Sequence, residues 1–122
     1  MMEYTKKEAK AYAKKNMTGL WGSTPYPFLK NMDLDEKGLV SDLNYYIETI
    51  KIDGFYMGGI INEFWALTLE ERKRAQELLI QTGKGRVNTI TMTGHTSIKT
   101  AVELSQHAER LGADYIALMN PY

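Results

Sequence analysis

The sequence contains no cysteine, and histidine is scarce. Without a thiol the chain has no disulfide, no thiolate nucleophile and no cysteine ligand for a metal, and it suits a reducing compartment. The two histidines, His95 and His107, are not spaced like a metal-binding motif, so we predict neither a metal nor a cofactor. Long apolar runs are also missing, which argues against a membrane span or a signal peptide and makes a cytoplasmic protein the expectation.

An excess of either charge is absent as well. Lys and Arg together number 15, Asp and Glu together number 15, and the formal net charge is zero. We therefore expect no overall electrostatic attraction to nucleic acid or to an anionic membrane. A cluster of lysines near the N-terminus has helical spacing and is interpreted as a solvated helix face. Hydrophobic residues make up 43% of the 122 positions, enough for the core of one domain.

Helical and strand patterns alternate along the chain. Helices are predicted at about 5–16, from Asp33 and Glu36 to about Ile50, from Thr68 to the glycines Gly83 and Gly85, and from Ile98 to Gly112. Short apolar strands are predicted at 19–24, 54–58, 87–92 and 114–119. Strands recur about every 30 residues, the size of a βαβ unit, and their apolar character suits parallel strands that are covered on both faces.

The predicted fold class is therefore α/β, with four parallel strands preceded by a short helix. Because the chain ends just after the fourth strand, without a helix to cover it, we expect an open trough that corresponds to the N-terminal half of a (β/α)8 barrel. This partial barrel domain would occupy residues 1–122. The residues alone leave an alternative, a small doubly wound α/β domain, which should carry a covering helix after its last strand.

Apolar periodicity predicts which helix faces meet the core. In the second helix the apolar stripe contains Leu39, Val40, Leu43, Ile47 and Ile50. In the fourth helix we expect the core-facing residues to be Ile98, Ala101, Val102, Ser105 and Ala108.

The strand-to-helix junction around residue 60 is the most informative region. Gly58 and Gly59 follow a short strand and allow a tight turn or a close backbone approach. Thr68 and Glu71 have the spacing of a capping box and predict where the next helix begins. Because parallel α/β enzymes bind substrates beyond the carboxyl ends of their strands, we expect a small-molecule site at this junction.

Several candidate residues have two interpretations. Ile60 and Ile61 either line an apolar substrate site or pack in the core. Trp21 is either a pocket wall or an ordinary core tryptophan. Glu63 is either a general base or, as we favour, a residue that orients the loop before the capped helix.

The two histidines are expected to have no catalytic role. His95 lies in a polar strand-to-helix loop without a partner carboxylate nearby in the sequence, which favours an exposed histidine over an acid–base group. His107 lies in a helix beside Glu103 and Arg110, and we expect it at the surface.

Motifs along most of the chain resemble one enzyme family. Residues 19–25 are similar to a first strand that ends in Thr-Pro, and residues 53–72 to a second-strand signature with Gly-Ser-Thr-Gly-Glu, then Leu-Thr and Glu-Glu-Arg. Residues 111–114 and 120–122 are similar to the fourth strand and its Pro-Tyr ending. Over residues 17–122 the chain resembles the dihydrodipicolinate synthase / N-acetylneuraminate lyase family.

The resemblance implies a (β/α)8 barrel and a class I aldolase or lyase that makes or breaks carbon–carbon bonds. In the family a lysine on the sixth strand forms a Schiff base with pyruvate or a related 2-oxo acid, and the imine acts as an electron sink. The implied partners are a small 2-oxo acid and further copies of the chain, since family members are commonly homotetramers. The substrate-binding candidates are Trp21, Gly59, Ile60, Ile61 and Tyr122.

The sequence also departs from the family pattern. Ile60 and Ile61 stand where the family has two hydroxyl residues that, with backbone N–H groups, hold the pyruvate carboxylate. Asn62 replaces a glycine, and Trp21 replaces a small residue that faces the imine.

The end of the chain bears on activity. The sequence ends before the strands that would carry the Schiff-base lysine and its tyrosine partner, so we expect a truncated or incomplete sequence that is inactive alone. The alternative function is a non-catalytic half-barrel that binds a small acid or associates through its open edge.

Overall fold

The computed structural model describes residues 4–120. Within that range the strands are β1 (Trp21–Gly22), β2 (Gly54–Met57), β3 (Asn88–Met92) and β4 (Tyr115–Ala117). The α-helices are α1 (Ala9–Asn16), α2 (Glu36–Tyr45), α3 (Leu69–Gly83) and α4 (Ile98–Leu111). A π turn, Tyr46–Ile50, extends α2, and two 3-10 turns, Ile60–Asn62 and Phe64–Ala66, join β2 to α3. No helix in this range is long and apolar enough to cross a membrane.

The strands form one parallel sheet in the order β1-β2-β3-β4. The register pairs Tyr56 with Ile90 and Ile90 with Tyr115, so these three side chains share one face of the sheet. Helices α2, α3 and α4 lie side by side along the other face. The prediction of four parallel neighbours in chain order is confirmed. The doubly wound alternative is wrong, because that fold reverses its strand order and places helices on both faces.

The core lies between the sheet and this helix layer. Phe55 and Met57 of β2 belong to one buried cluster with Leu39 and Leu43 of α2, and all four side chains are almost completely buried. Tyr56, which lies between Phe55 and Met57 in the sequence, is exposed. This alternation follows from the two-residue period of a strand, and it makes the face that carries Tyr56 the inner wall of the trough.

The predicted capping box at Thr68 and a second Thr-x-x-Glu pattern, Thr5 to Glu8 in the predicted first helix, have different outcomes. Thr68 N donates to Glu71 Oε2 at 2.8 Å and Glu71 N donates to Thr68 Oγ1 at 3.2 Å, so α3 begins as predicted. Thr5 and Glu8 also form their hydrogen bonds, with Thr5 N donating to Glu8 Oε2 at 2.9 Å, but the first α-helix begins only at Ala9. None of the eight residues of α1 has a buried side chain. Packing therefore does not favour an extension of this helix into residues 5–8.

The predicted core face of the fourth helix is partly wrong. Leu104 and Ala108 are completely buried in α4, whereas Ile98 is 79% exposed and Val102 is 49% exposed. The apolar stripe of α4 is broad, and only the half centred on Leu104 meets α3 and the sheet. Ile98 and Val102 instead line a groove beside β4 together with Ile116.

The predicted stripe of the second helix fails only at its end. Leu39 and Leu43 are buried as expected, but Ile50 is exposed. The cause is the π turn from Tyr46 to Ile50, whose wider turn rotates the residues that follow α2 out of the helical period. Lys51 then adopts the left-handed region with φ at 62°, where glycine is the usual residue.

Candidate functional site

The loops after β1 and β2 meet at the carboxyl end of the sheet, where one side chain joins them. Asn62 Oδ1 accepts hydrogen bonds from Gly58 N at 2.8 Å, from Gly59 N at 3.1 Å and from the Ser23 hydroxyl at 3.3 Å. Asn62 Nδ2 donates to the carbonyl oxygen of Thr24. Asn62 is only 3% exposed. We call these five residues the β1–β2 junction.

The thioether of Met57 completes the polar contacts of the junction. Thr24 N lies 3.4 Å from Met57 Sδ, and Asn62 Nδ2 lies 3.8 Å from the same sulfur. A thioether is a weak acceptor, but it is the last side chain of β2 and is buried directly below these donors. No side-chain nitrogen or oxygen atom of the five junction residues is buried without a hydrogen-bond partner.

Both glycines of the junction are required by its geometry. Gly58 has φ at 80°, a conformation that side chains rarely adopt. A Cβ atom on Gly59 would lie 2.8 Å from Tyr56 Cε1, so a larger residue would displace the tyrosine ring. The prediction that this pair permits a turn and a close approach is confirmed.

The two isoleucines beside the junction point outward. Ile60 is 63% exposed and Ile61 is 64% exposed, so the core-packing interpretation is wrong. They belong to a 3-10 turn in which Asn62 occupies the buried position, and that placement turns the two preceding side chains away from the core. Glu63 follows with φ at 48° and links the two 3-10 turns, and its side chain is exposed.

Trp21 is placed at the amino end of the sheet. It pairs with Gly54, the first residue of β2, and a Cβ atom on Gly54 would lie 2.5 Å from Trp21 Cε3. Its ring makes an edge contact with Tyr115 at a centroid distance of 6.3 Å, and its Nε1 donates to Thr18 O at 3.0 Å. The strand β2 thus separates Trp21 from Gly59 along the sheet. Tyr122, another candidate, lies outside the described residues.

A buried arginine lies behind the carboxyl end of β3. Arg72 is only 6% exposed, and its Nη2 donates to Met92 O at 3.3 Å and to Gly94 O at 3.0 Å. Its guanidinium carbon lies 5.0 Å from the centre of the Phe64 ring, within the range of a cation–π contact. Burial lowers the pKa of Arg72, and burial likewise raises the pKa of the neighbouring Tyr26. Arg72 therefore connects α3 to the loop after β3.

A cavity of about 270 Å³ lies beside this arginine. Its lining includes Phe64, Trp65, Arg72, His95 and Met119. His95 is exposed, as predicted, and its Nδ1 accepts a hydrogen bond from Ser97 N at 2.9 Å. This contact gives His95 a structural role at the start of α4.

The prediction that His107 lies at the surface is wrong. Its side chain is 16% exposed, and its Nε2 lies 3.5 Å from Glu77 Oε1. Because α3 packs against α4, the imidazole is enclosed between the two helices. The sequence pattern missed this because Glu103 and Arg110, its neighbours on α4, are charged residues, and charged residues usually indicate an exposed helix face.

A sequence model of the dihydrodipicolinate synthetase family matches residues 16–122. The chain belongs to this family. An N-acetylneuraminate lyase from Clostridium perfringens is 35% identical over 106 residues, which are 87% of this chain and 37% of that protein. The chain thus spans just over a third of the length of such curated relatives.

Solved structures agree with this assignment. The N-acetylneuraminate lyase of Mycoplasma synoviae superposes with a TM-score of 0.84 at 31% identity, covering 88% of this chain and 37% of that one. An N-acetylneuraminate lyase from Fusobacterium nucleatum, complexed with pyruvate, superposes with a TM-score of 0.82 at 32% identity, covering 87% of this chain and 36% of that one. The fold is therefore the N-terminal part of a (β/α)8 barrel.

Two important residues were not recognised from the sequence. The sequence marks Asn62 only as a departure from a glycine, and Arg72 only as part of a helix signature. The available signal for Asn62 was its position after two glycines, since asparagine side chains often bond nearby backbone groups. No comparable signal marks Arg72, because its burial depends on contacts with the distant β3.

Proposed function

We propose that this chain is the first part of a Schiff-base-forming lyase or aldolase that acts on a 2-oxo acid. The single observation that carries the proposal is the β1–β2 junction at the carboxyl end of the sheet, in a chain that belongs to this lyase family. Enzymes with this fold bind their substrates at that end of the barrel. The pyruvate complex of the Fusobacterium nucleatum relative supports pyruvate as the first substrate to test.

The proposed chemistry divides between this chain and the rest of a barrel. The lysine that would attack the 2-oxo carbon belongs to a strand that follows these residues in the family. This chain would supply part of the binding site through Ile60 and Ile61, with Gly59 shaping the turn that precedes them and with Trp21 and Tyr122 as further candidates. Its function would be to orient the acid so that the imine carbon faces the lysine.

The isoleucines set the character of this site. Ile60 and Ile61 retain backbone N–H groups but provide no hydroxyl donor for a carboxylate. Their exposed branched side chains make an anionic group costly to desolvate. We therefore expect weaker binding of pyruvate than in a relative with hydroxyl residues at these positions.

Borohydride trapping tests the proposal. In a chimera, residues 16–122 replace the matching segment of the Clostridium perfringens lyase, and pyruvate is added with borohydride before mass spectrometry. We expect a single adduct, and the I60S/I61T chimera should need roughly tenfold less pyruvate, because a hydrogen bond to a charged group contributes about 1.5–3 kcal/mol. The 122-residue chain alone is the control and should form no adduct.

Two outcomes would contradict the proposal. A folded chimera that traps no pyruvate even with I60S/I61T would show that this segment cannot support the chemistry. A specific adduct on one lysine of the isolated chain would indicate a different nucleophile.

The second candidate function is a non-catalytic half-barrel that associates through its open edge. It is favoured by the apolar groove beside β4, which exposes Ile98, Val102 and Leu118. Exposed apolar surface next to the open edge of a sheet promotes association.

A further inference from the structure

The junction contains an acceptor site that the protein fills with its own side chain. Two backbone N–H groups and one hydroxyl converge on Asn62 Oδ1, from Gly58 at 2.8 Å, Gly59 at 3.1 Å and Ser23 at 3.3 Å. Three donors around one oxygen form the type of cradle in which proteins hold carboxylates and oxyanions. Here a neutral carboxamide occupies it.

The other end of the carboxamide performs a second task. Asn62 Nδ2 donates to Thr24 O, across 38 residues of sequence, and so binds the loop after β1 to the loop after β2. A carboxylate in the same cradle has no proton to donate to Thr24. Only an amide satisfies both loops at once.

Burial makes this arrangement energetically important. Gly58, Gly59, Thr24 and Asn62 are all buried, so water does not readily replace the side chain. Removing it would leave two buried N–H groups and one carbonyl without partners, and an unpaired buried group is destabilising.

We propose that Asn62 is a positioning residue that fixes the β1–β2 junction by occupying its donor cradle. The N–H groups of Gly58 and Gly59 are then not available to a ligand, and the loop holds its shape in the empty protein. The inference goes beyond the proposed lyase activity and does not require it, because it concerns the folded chain without substrate.

Hydrogen exchange and amide chemical shifts of Gly58 and Gly59 test the proposal in the 122-residue chain. In N62A we expect both amides to exchange about tenfold faster or more, as the loss of such hydrogen bonds predicts. Acetamide, a free copy of the missing group, should bind N62A and return both amide shifts towards those of the wild type. The wild-type protein should show no such response to acetamide.

Two control variants separate positioning from packing. N44A removes a matched amide that bridges Val40 O at 2.9 Å and Arg86 Nη1 at 2.7 Å on the surface of α2, and it should leave both glycine amides unchanged. N62L keeps the bulk of the side chain without its polar atoms. It should show fast exchange but no rescue, because acetamide cannot enter.

A third variant keeps the test decisive if N62A does not fold. N62D retains an acceptor for Gly58 and Gly59 but loses the donor to Thr24 O. It should protect both glycine amides while the Thr24 loop becomes more dynamic in relaxation measurements. The proposal would be overturned if the amides of Gly58 and Gly59 exchanged at the wild-type rate in N62A or in N62L. It would also be overturned if these amides lost their protection in N62D. Fast exchange that acetamide does not reverse would also overturn it, since only a general packing role would remain.

Discussion

The β1–β2 junction and the groove beside β4 are opposite in character, although both lie next to the same sheet. At the junction a buried asparagine pairs the polar groups of two loops, and the neighbouring strand is covered by α2 and α3. Beside β4 the apolar residues Ile98, Val102 and Leu118 remain exposed. Within the described residues, the polar side-chain atoms of the junction have hydrogen-bond partners. The groove has the apolar composition of an interface, but no other part of the described chain covers it. In this part of the chain, polar pairing therefore stabilises the junction, whereas the groove beside β4 leaves apolar surface exposed.

The largest expected effect comes from breaking the core under the junction. Phe55 is completely buried between the sheet and α2, so F55A should lower the free energy of unfolding by about 3–5 kcal/mol. The control, I98A beside β4, should change it by less than about 0.5 kcal/mol, since that side chain is exposed. Urea denaturation measures both, and equal effects would abolish the distinction between the two regions.

The buried arginine should give an intermediate effect. In R72M the carbonyls of Met92 and Gly94 lose their donor, which should destabilise the chain by about 1–3 kcal/mol. R74M is the matched control, because Arg74 lies on the same helix but pairs with Glu36 and Glu77 near the surface. If thermal melts show that both variants lose the same stability, burial of Arg72 is not the cause.

Charges introduced beside β4 should change association more than folding. We expect the isolated chain to self-associate, and I98K/V102K should reduce this by placing two charges in the exposed groove. The control K10E, on the exposed α1 helix, should have no such effect. Sedimentation velocity distinguishes the cases, and association that persists unchanged in I98K/V102K would exclude the groove as its cause.

The smallest effect is a pH dependence near the junction. Burial raises the pKa of Tyr26, so the folded protein retains this proton more strongly than the unfolded chain. Its contribution to stability is therefore present below the unfolded pKa of about 10 and falls as the pH rises above it. Y26F should flatten this alkaline loss, while Y45F, at an exposed tyrosine, should not. Identical alkaline profiles for all three proteins in chemical denaturation would contradict this assignment.

Sequence patterns predicted the order of the elements, the glycine turn after β2 and the start of α3. Apolar strands, the capping box at Thr68 and the paired glycines are local signals, and the structure retains them because packing agrees with them. The side chains that define the site were harder to predict. Ile60 and Ile61 have the composition of core residues, yet the turn that buries Asn62 exposes them both.

The remaining errors arise from contacts between elements that are distant in sequence. His107 is enclosed because α3 and α4 pack together, and Ile98 is exposed because the described residues do not cover that side of α4. Neither fact can be predicted from the helical period of the sequence. The period identifies the apolar face of a helix, but it does not show which other element packs against that face.

The central proposal, that this chain corresponds to the first part of a lyase barrel and is open beside β4, is most directly tested by supplying the remaining part of a barrel from a relative. The segment of the Clostridium perfringens lyase that follows its matched region is added as a separate polypeptide, and sedimentation velocity is measured with each component alone and mixed. The account predicts a stoichiometric complex in the mixture, in which I98K/V102K weakens binding and N44A does not. The account would be contradicted if the chain were a compact monomer that melts cooperatively and does not bind the added segment.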